Sequence, residues 1–261
     1  MLTIRASSLS ELFECPFKWY TKNIEHKRLP CSGAAQLGTA IHAGAAAYDQ
    51  GRIDGAGYTI DDTAAAVVDR IWHPEEEVVW DDDQKTAEKI GLALHKKYCE
   101  RIAPQFEYVG VEVTCNSIEL ADLDIRLTGS TDRVYQNEEG QYGIADLKTG
   151  GRVVGVDGTV NVAGHATQLG LYEILVGQSL DVSVDAPAMI IGLQTAKTDT
   201  SQRVGVGEIV GAKERLLGTE EEEGVLSMAS KILKSGLFYG NPRSPLCSEK
   251  YCPAYPTCRW K

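Results

Sequence analysis

The sequence predicts an α/β fold in which a mixed β-sheet follows a mainly helical N-terminal part. Three patterns support this prediction. Helical periodicity dominates residues 1–105, strand-like alternation follows from Tyr108 to Lys148, and a helix pattern then precedes one more strand. Antiparallel strands joined through a crossover helix to a further strand give a sheet of mixed order. We expect a single domain over 1–261, with a helical part, a core over 106–200, and a C-terminal helix with a cysteine-rich segment over 201–261.

The N-terminal part carries three helix signals. Ser8 and Glu11 have the spacing of a capping box, in which both side chains accept hydrogen bonds from free backbone amides at a helix start. A second helix is predicted over 36–49. A third is predicted over 84–102, because apolar residues recur there on one stripe.

The core begins with valines that alternate over 109–113. Further elements are predicted in the following order: a strand over 125–135, a polar turn over 136–140, a strand over 142–147, a helix over 165–176 and a strand over 188–194. A C-terminal helix is predicted over 220–234. Four prolines exclude a long helix in the tail beyond it, so a metal or cluster would be needed to fix the shape of that segment.

The net charge of −11 argues against tight non-specific binding of nucleic acid. Three acidic runs, at 75–77, 81–83 and 220–223, account for much of the excess and are typical of solvated surface. A catalytic cleft also needs carboxylates, whose charge a bound metal offsets. The charge therefore does not exclude chemistry on DNA.

Two predicted strands carry carboxylates that a core would not favour. Asp132 lies on the first, and Asp146 lies on the second with Lys148 on the same face and Leu147 on the opposite one. Oxygen ligands of this kind suit Mg²⁺ or Mn²⁺, which polarise a phosphate and lower the pKa of an attacking water. The alternative is a solvated Asp–Lys ion pair of little energetic weight.

These residues resemble motifs of the PD-(D/E)XK nuclease superfamily, with Asp at position 146 where many relatives have Glu. The segment Gly38 to His42 resembles the early histidine motif of its RecB-like branch, and Gln168 with Tyr172 resembles the Q-x-x-x-Y helix of that branch. The matches cover most of the chain in the right order. The resemblance implies metal ligands at His42, Asp132, Asp146 and the carbonyl of Leu147, a catalytic role for Lys148, and substrate contacts by Gln168 and Tyr172. Glu112 and His165 are additional candidates.

Seven cysteines are unevenly distributed, and three of them, Cys247, Cys252 and Cys258, crowd the C-terminus. Together with Cys15 they resemble the quartet of iron–sulfur exonucleases in that branch, which include the AddB nuclease domain and CRISPR-associated and phage enzymes. The resemblance implies a [4Fe–4S] cluster that joins the two chain ends. Structural Zn²⁺ with the same ligands is the alternative. Cys31, Cys99 and Cys115 are interpreted as ordinary small residues. A substitute-ligand role for Cys31 is an alternative that no specific feature supports.

The resemblance implies a Mg²⁺- or Mn²⁺-dependent deoxyribonuclease, acting as an exonuclease on DNA ends or single strands in recombination, repair or phage DNA processing. The alternatives are a non-catalytic DNA-binding or assembly subunit that keeps the fold and the cluster, and a zinc-stabilised enzyme of different chemistry such as an RNA nuclease. A homo-oligomer or a recombination protein are further partners to expect. No apolar run approaches the ~20 residues of a membrane span, and Met1 to Glu14 lack signal-peptide features. We therefore expect a cytoplasmic location (the host cytoplasm if phage-encoded) and no membrane partner.

Overall fold

The computed structural model describes residues 1–261. Its first helix does not begin at the predicted capping box. Strand β1 (Leu2–Arg5) leads directly into α1 (Ala6–Glu14), followed by α2 (Pro16–Asn23). Because α1 begins before Ser8, the predicted box is wrong: Ser8 Oγ instead donates to the carbonyl of Arg5 at 3.0 Å. The carboxylate of Glu11 is free to pair with the ammonium groups of α2, and its Oε1 lies 2.9 Å from Lys22 Nζ.

Three long helices form the rest of the N-terminal part: α3 (Gly33–Ile53), α4 (Ile60–Trp72) and α5 (Gln84–Arg101). The predicted helices over 36–49 and 84–102 are confirmed, and α3 extends beyond the prediction at both ends. Helix α4 was not predicted, although Thr59 and Asp62 form a complete capping box at its start. Two-residue strands β2 (Cys31–Ser32) and β3 (Val78–Val79) pair beside α3.

The remaining strands are β4 (Glu107–Thr114), β5 (Ile118–Leu120), β6 (Ile125–Thr128), β7 (Ser130–Gln136), β8 (Tyr142–Gly150), β9 (Ala188–Gln194) and β10 (Val204–Ile209). Five of them form the main sheet in the order β10-β9-β8-β7-β4. Within this sheet only the β8–β9 pair is parallel, and helix α6 (Ala166–Leu180) makes the crossover between these two strands. The predicted mixed α/β class is therefore confirmed.

The segment predicted as one strand over 125–135 is two strands in two sheets. It breaks at Gly129, so that β6 pairs with β1 and β5 while β7 joins the main sheet. A Cβ at Gly129 would lie 3.0 Å from the Tyr172 ring and 3.3 Å from Cβ of Ala6. Helices α1 and α6 thus leave little room for a side chain at the break.

Two short helices, α7 (Ala212–Leu217) and α8 (Val225–Ser235), follow the main sheet. The helix predicted over 220–234 starts later than expected, because the acidic run 220–223 lies in the α7–α8 loop. No helix of the chain combines the length and apolar character needed to cross a bilayer.

The main sheet separates two apolar cores. On one face, Leu147 packs with side chains of α3 and α5; on the other, Val134 and Ile144 pack with α1, α6 and α8. The central strands are covered on both sides, so a polar residue on them is buried unless the sheet opens. That opening occurs between β7 and β8.

Candidate active site and cysteine pocket

The candidate active site lies where β7 and β8 separate. Their ladder ends at the pair Arg133–Ala145, whereas β8 continues to Gly150 beside β9. Beyond the last pair, Oδ2 of Asp132 accepts a hydrogen bond from the backbone amide of Leu147 at 2.8 Å. The carboxylate of Asp132 thus takes the place of a backbone acceptor of β7. From Asp146 to Lys148, β8 has no paired strand on the side of β7.

Alternation along β8 directs its residues to opposite faces of the sheet. Leu147 is part of the core with α3 and α5, while Asp146 faces α6 and is only 2% exposed. Nζ of Lys148 lies 2.6 Å from Oδ2 of Asp146. Asp146 and Lys148 share a face, which is the arrangement that strand alternation predicts.

His42 reaches this opening from α3, and Glu112 reaches it from β4. Nδ1 of His42 lies 3.5 Å from Oδ2 of Asp132. One ligand atom each from His42, Glu112 and Asp132 lie within 4.8 Å of one another, whereas Asp146 is outside this group. Sequence analysis predicts Asp146 as a ligand and Glu112 only as an additional candidate. The structure places Glu112 in one group with His42 and Asp132, which Asp146 does not join.

The four charged groups alter one another's ionisation. Burial disfavours imidazolium, but the hydrogen bond and charge of Asp132 outweigh burial and raise the pKa of His42. Burial also opposes ionised Asp132, yet His42 and the Leu147 amide hold the pKa of that carboxyl below its usual value. Burial and the charge of Asp132 raise the pKa of Glu112. The cluster therefore concentrates negative charge that a cation would offset.

Asp146 is the least favourably placed of the carboxylates. Burial, followed by the charge of Asp132, raises its pKa to about 6 despite the ion pair with Lys148. Its Oδ2 makes this ion pair but has no hydrogen bond of good geometry and is inaccessible to solvent. A buried ionised oxygen of this kind is costly, and the Lys148 ammonium is the cation that compensates it here. The donor set of one imidazole and three carboxylates fits Mg²⁺ or Mn²⁺.

Gln168 of α6 connects three of the site residues. Its Oε1 accepts from Lys148 Nζ at 3.1 Å, and its Nε2 lies 3.4 Å from Asp146 Oδ1 and 3.1 Å from the Tyr172 hydroxyl. His165 precedes the same helix, where burial and the charge of Lys148 lower its pKa. One face of α6 therefore contacts Asp146 and Lys148.

A buried network beneath the site was not predicted. Arg133, fully buried, donates from Nε to Asp49 Oδ2 at 2.7 Å and from Nη1 to the carbonyl of Asp132 at 2.7 Å. Its Nη1 also lies 3.4 Å from Glu112 Oε1, and the Tyr98 hydroxyl donates to Asp49. A single sequence gives no sign that these polar residues are buried together. The network ties α3 and α5 to the strands that carry the site.

An open cleft of about 660 Å³ leads to the cluster, a volume in the range of ligand-binding clefts. His42, Glu112 and Lys148 line it, together with small side chains of α3. A Cβ at Gly38 of α3 would lie 2.6 Å from Thr149 Oγ1. Glycine at position 38 therefore allows α3 to approach the end of β8, which brings His42 within reach of Asp132.

The four cysteines of the predicted quartet line one pocket. Cys15 comes from the α1–α2 junction, and Cys247, Cys252 and Cys258 come from the C-terminal segment. The backbone amide of Asn241 donates to Cys15 Sγ at 3.4 Å. Burial, and with it the nearness of Cys15 and Cys258, raises the pKa of Cys252. No three of these sulfur atoms lie within 4.8 Å of one another, so they do not form a closed thiolate cluster.

The other three cysteines lie outside this pocket. Cys99 and Cys115 are buried, and burial raises the pKa of each thiol. Cys31 lies in β2 and is half-buried, with its thiol 3.9 Å from Gln36 Oε1. None of the three lines the pocket, so none is placed to substitute for a cysteine of the quartet.

Comparison with known proteins identifies a family. A family model described as the PD-(D/E)XK nuclease superfamily matches residues 3–259. No curated protein matches the sequence. A crystal structure from Eubacterium rectale, of a protein provisionally named an exonuclease, is similar with 15% identity and a TM-score of 0.55, covering 94% of this chain and 86% of that one. The crystal structure of SSO0001 is similar with 14% identity and a TM-score of 0.45, covering 98% and 85%. The first likeness concerns the fold alone, and the second is too low to support an argument.

Proposed function

This chain belongs to the PD-(D/E)XK nuclease superfamily, and on that premise we propose that it is a metal-dependent deoxyribonuclease that hydrolyses phosphodiester bonds. The proposal treats residues 1–261 as one nuclease domain. It rests above all on one observation: His42, Glu112 and Asp132 meet within 4.8 Å at a cleft that Lys148 also lines. Exonuclease action on DNA ends or single strands is the form that the sequence resemblance favours.

In this proposal, Mg²⁺ or Mn²⁺ would be held by His42, Asp132, Asp146 and the carbonyl of Leu147, with Glu112 as a further carboxylate ligand. Such an ion, when bound, polarises a phosphate and lowers the pKa of water. The burial of Asp146 and its raised pKa support this assignment, because burial and the charge of Asp132 keep the pKa high although Lys148 is already paired with the carboxylate.

Lys148 is the proposed catalytic lysine. Its ammonium can orient the attacking water through a hydrogen bond and stabilise the negative charge that develops on the phosphoryl oxygens. Gln168 accepts a hydrogen bond from Lys148 and lies beside Asp146, so it would hold both groups in position. Tyr172 would position Gln168, and His165, which precedes the same helix, would be a further residue for contact with the substrate strand.

We propose further that Cys15, Cys247, Cys252 and Cys258 bind a [4Fe–4S] cluster. The proposal is supported by the lining of one pocket, to which the N-terminal part contributes one cysteine and the C-terminal segment three. Structural Zn²⁺ with the same ligands is the alternative. The Asn241 amide would remain as a hydrogen-bond donor to a cluster sulfur. The cluster would join the two chain ends.

The test is hydrolysis of labelled single- and double-stranded DNA by anaerobically purified protein with Mn²⁺, compared with the same protein in EDTA. Release of nucleotides from ends, lost on Asp146→Ala and on Lys148→Ala, is the expected result. Arg126→Gln, in β6 of the three-stranded sheet β1-β6-β5, is the matched control and should cleave like wild type. Undiminished cleavage by both active-site variants would refute the catalytic assignment. DNA binding without any cleavage by the wild type would favour the non-catalytic subunit.

A further inference from the structure

Arg70 is a cationic side chain of the cleft that the proposed chemistry does not use. Two cations line the cleft, and the other is Lys148, which pairs with Asp146. Arg70 lies in the last turn of α4, and its guanidinium forms an ion pair with Glu75. It therefore contacts neither the carboxylate cluster nor Gln168.

The position of Arg70 separates it from the reacting atoms. Gln36 Nε2 donates to the carbonyl of Arg70 at 2.6 Å, which fixes the end of α4 beside the first turns of α3. His42 lies further along α3, about 9 Å from Gln36 at the usual rise of ~1.5 Å per residue. Arg70 thus enters the cleft at one end, displaced along α3 from the proposed metal ligands.

The cleft surface between Arg70 and His42 suits a polyanion. It consists of small residues of α3 such as Ala35, Thr39 and Ala43, and Glu112 is the sole acidic residue that lines the cleft. This is unusual in a chain of net charge −11. A strand that lies along α3 would pass Arg70 before it reaches His42.

We propose that Arg70 binds a non-scissile phosphate of the substrate strand, and that Glu75 occupies the guanidinium until a phosphate replaces it. The inference rests on the proposed function, since it requires a nucleic-acid strand in this cleft. The side chain of Arg70 is 40% exposed and that of Glu75 is 77% exposed, so their pairing contributes little stability. A phosphate accepts two parallel hydrogen bonds from a guanidinium and can displace such a carboxylate.

The experiment compares strand binding in the Lys148→Ala background with Mn²⁺, using a fluorescein-labelled single-stranded oligonucleotide over a series of KCl concentrations. Arg70→Gln is expected to weaken binding about tenfold at low salt. It should also reduce the slope of log K against log salt by about 0.7, the value for one phosphate contact on a single strand. Arg70→Lys should keep the slope, because it keeps the charge.

Hydrolysis by the otherwise wild-type protein separates binding from chemistry. Arg70→Gln should raise KM about tenfold and leave kcat unchanged, since Arg70 is remote from the scissile bond. Glu75→Gln should lower KM a few-fold, and this gain should disappear in the Arg70→Gln background.

Arg126→Gln is the matched control, because Arg126 is 47% exposed and paired with Glu119 on the three-stranded sheet. It removes the same charge and should leave slope and KM unchanged. An Arg70→Gln variant that behaves like Arg126→Gln, in a protein that cleaves DNA, overturns this inference alone. A wild-type protein that neither binds nor cleaves DNA overturns the proposed function as well.

Discussion

The carboxylate of Glu112 lies 3.4 Å from Nη1 of Arg133, and the backbone of Glu112 is left-handed, with a φ of 49°. A residue with a Cβ avoids this conformation, which costs about 1–2 kcal/mol. Such strain persists only where the surroundings enforce it, and it is concentrated at functional positions. Here Arg133 is fully buried and held by Asp49, so it gives the Glu112 carboxylate a rigid partner next to His42 and Asp132.

Substitutions of Glu112 should therefore differ in their effect on stability but share one effect on metal binding. Without metal, we expect Glu112→Gly to be about 1 kcal/mol more stable than Glu112→Ala, because glycine adopts positive φ without strain. Both variants should bind Mn²⁺ at least tenfold more weakly than wild type. Urea unfolding and isothermal titration measure the two effects. An alanine variant more stable than the glycine variant would contradict the proposed strain.

Gln168 should control the rate rather than the fold. Gln168→Ala removes the acceptor of Lys148 and the donor near Asp146, so we expect kcat to fall about 10- to 100-fold, the usual effect of losing a supporting hydrogen bond at a metal site. Tyr172→Phe should lower kcat less, since its hydroxyl contacts only Gln168 in this group. Gln141→Ala, in the exposed hairpin turn, is the control and should retain full activity. Equal rates for Gln168→Ala and Gln141→Ala would exclude the positioning role.

Cys15→Ser should release the proposed cluster and loosen the chain ends. We expect loss of iron and of visible absorption in anaerobically purified protein, with destabilisation of up to about 5 kcal/mol by analogy with a cross-link that closes a long loop. Cys31→Ser is the matched control, because Cys31 lies outside the pocket. Iron analysis and thermal unfolding provide the readout. Zinc in place of iron in the wild-type protein would point to the alternative metal.

Glu173 should make stability depend on pH. It is 8% exposed, and burial raises its pKa to about 7. Since this pKa lies above the unfolded value of about 4.3, the carboxyl ionises more easily in the unfolded chain, and stability decreases as pH rises from about 4 to 7. Glu173→Gln should therefore raise the free energy of unfolding by up to about 3 kcal/mol at pH 8 and leave it unchanged near pH 4. Glu139→Gln, on the exposed hairpin, should change neither value.

Local pattern was sufficient for much of the fold. The helices over 36–49 and 84–102 and the strand over 188–194 follow from periodicity, because side chains on one face of an element must share one environment. Alternation also places Asp146 and Lys148 on one face of β8. The break at Gly129 could not be predicted, since it depends on α1 and α6 packing against that residue.

The sequence by itself determined which residue types are available for chemistry and the order in which they occur, because motif spacing is a property of the chain alone. The tertiary structure decided which of them meet. It brought Glu112 next to His42, buried Arg133 against Asp49, directed Arg70 into the cleft and gathered cysteines from both chain ends around one pocket. Each of these contacts joins residues distant in sequence, so it depends on how helices pack on the sheet and not on any local preference.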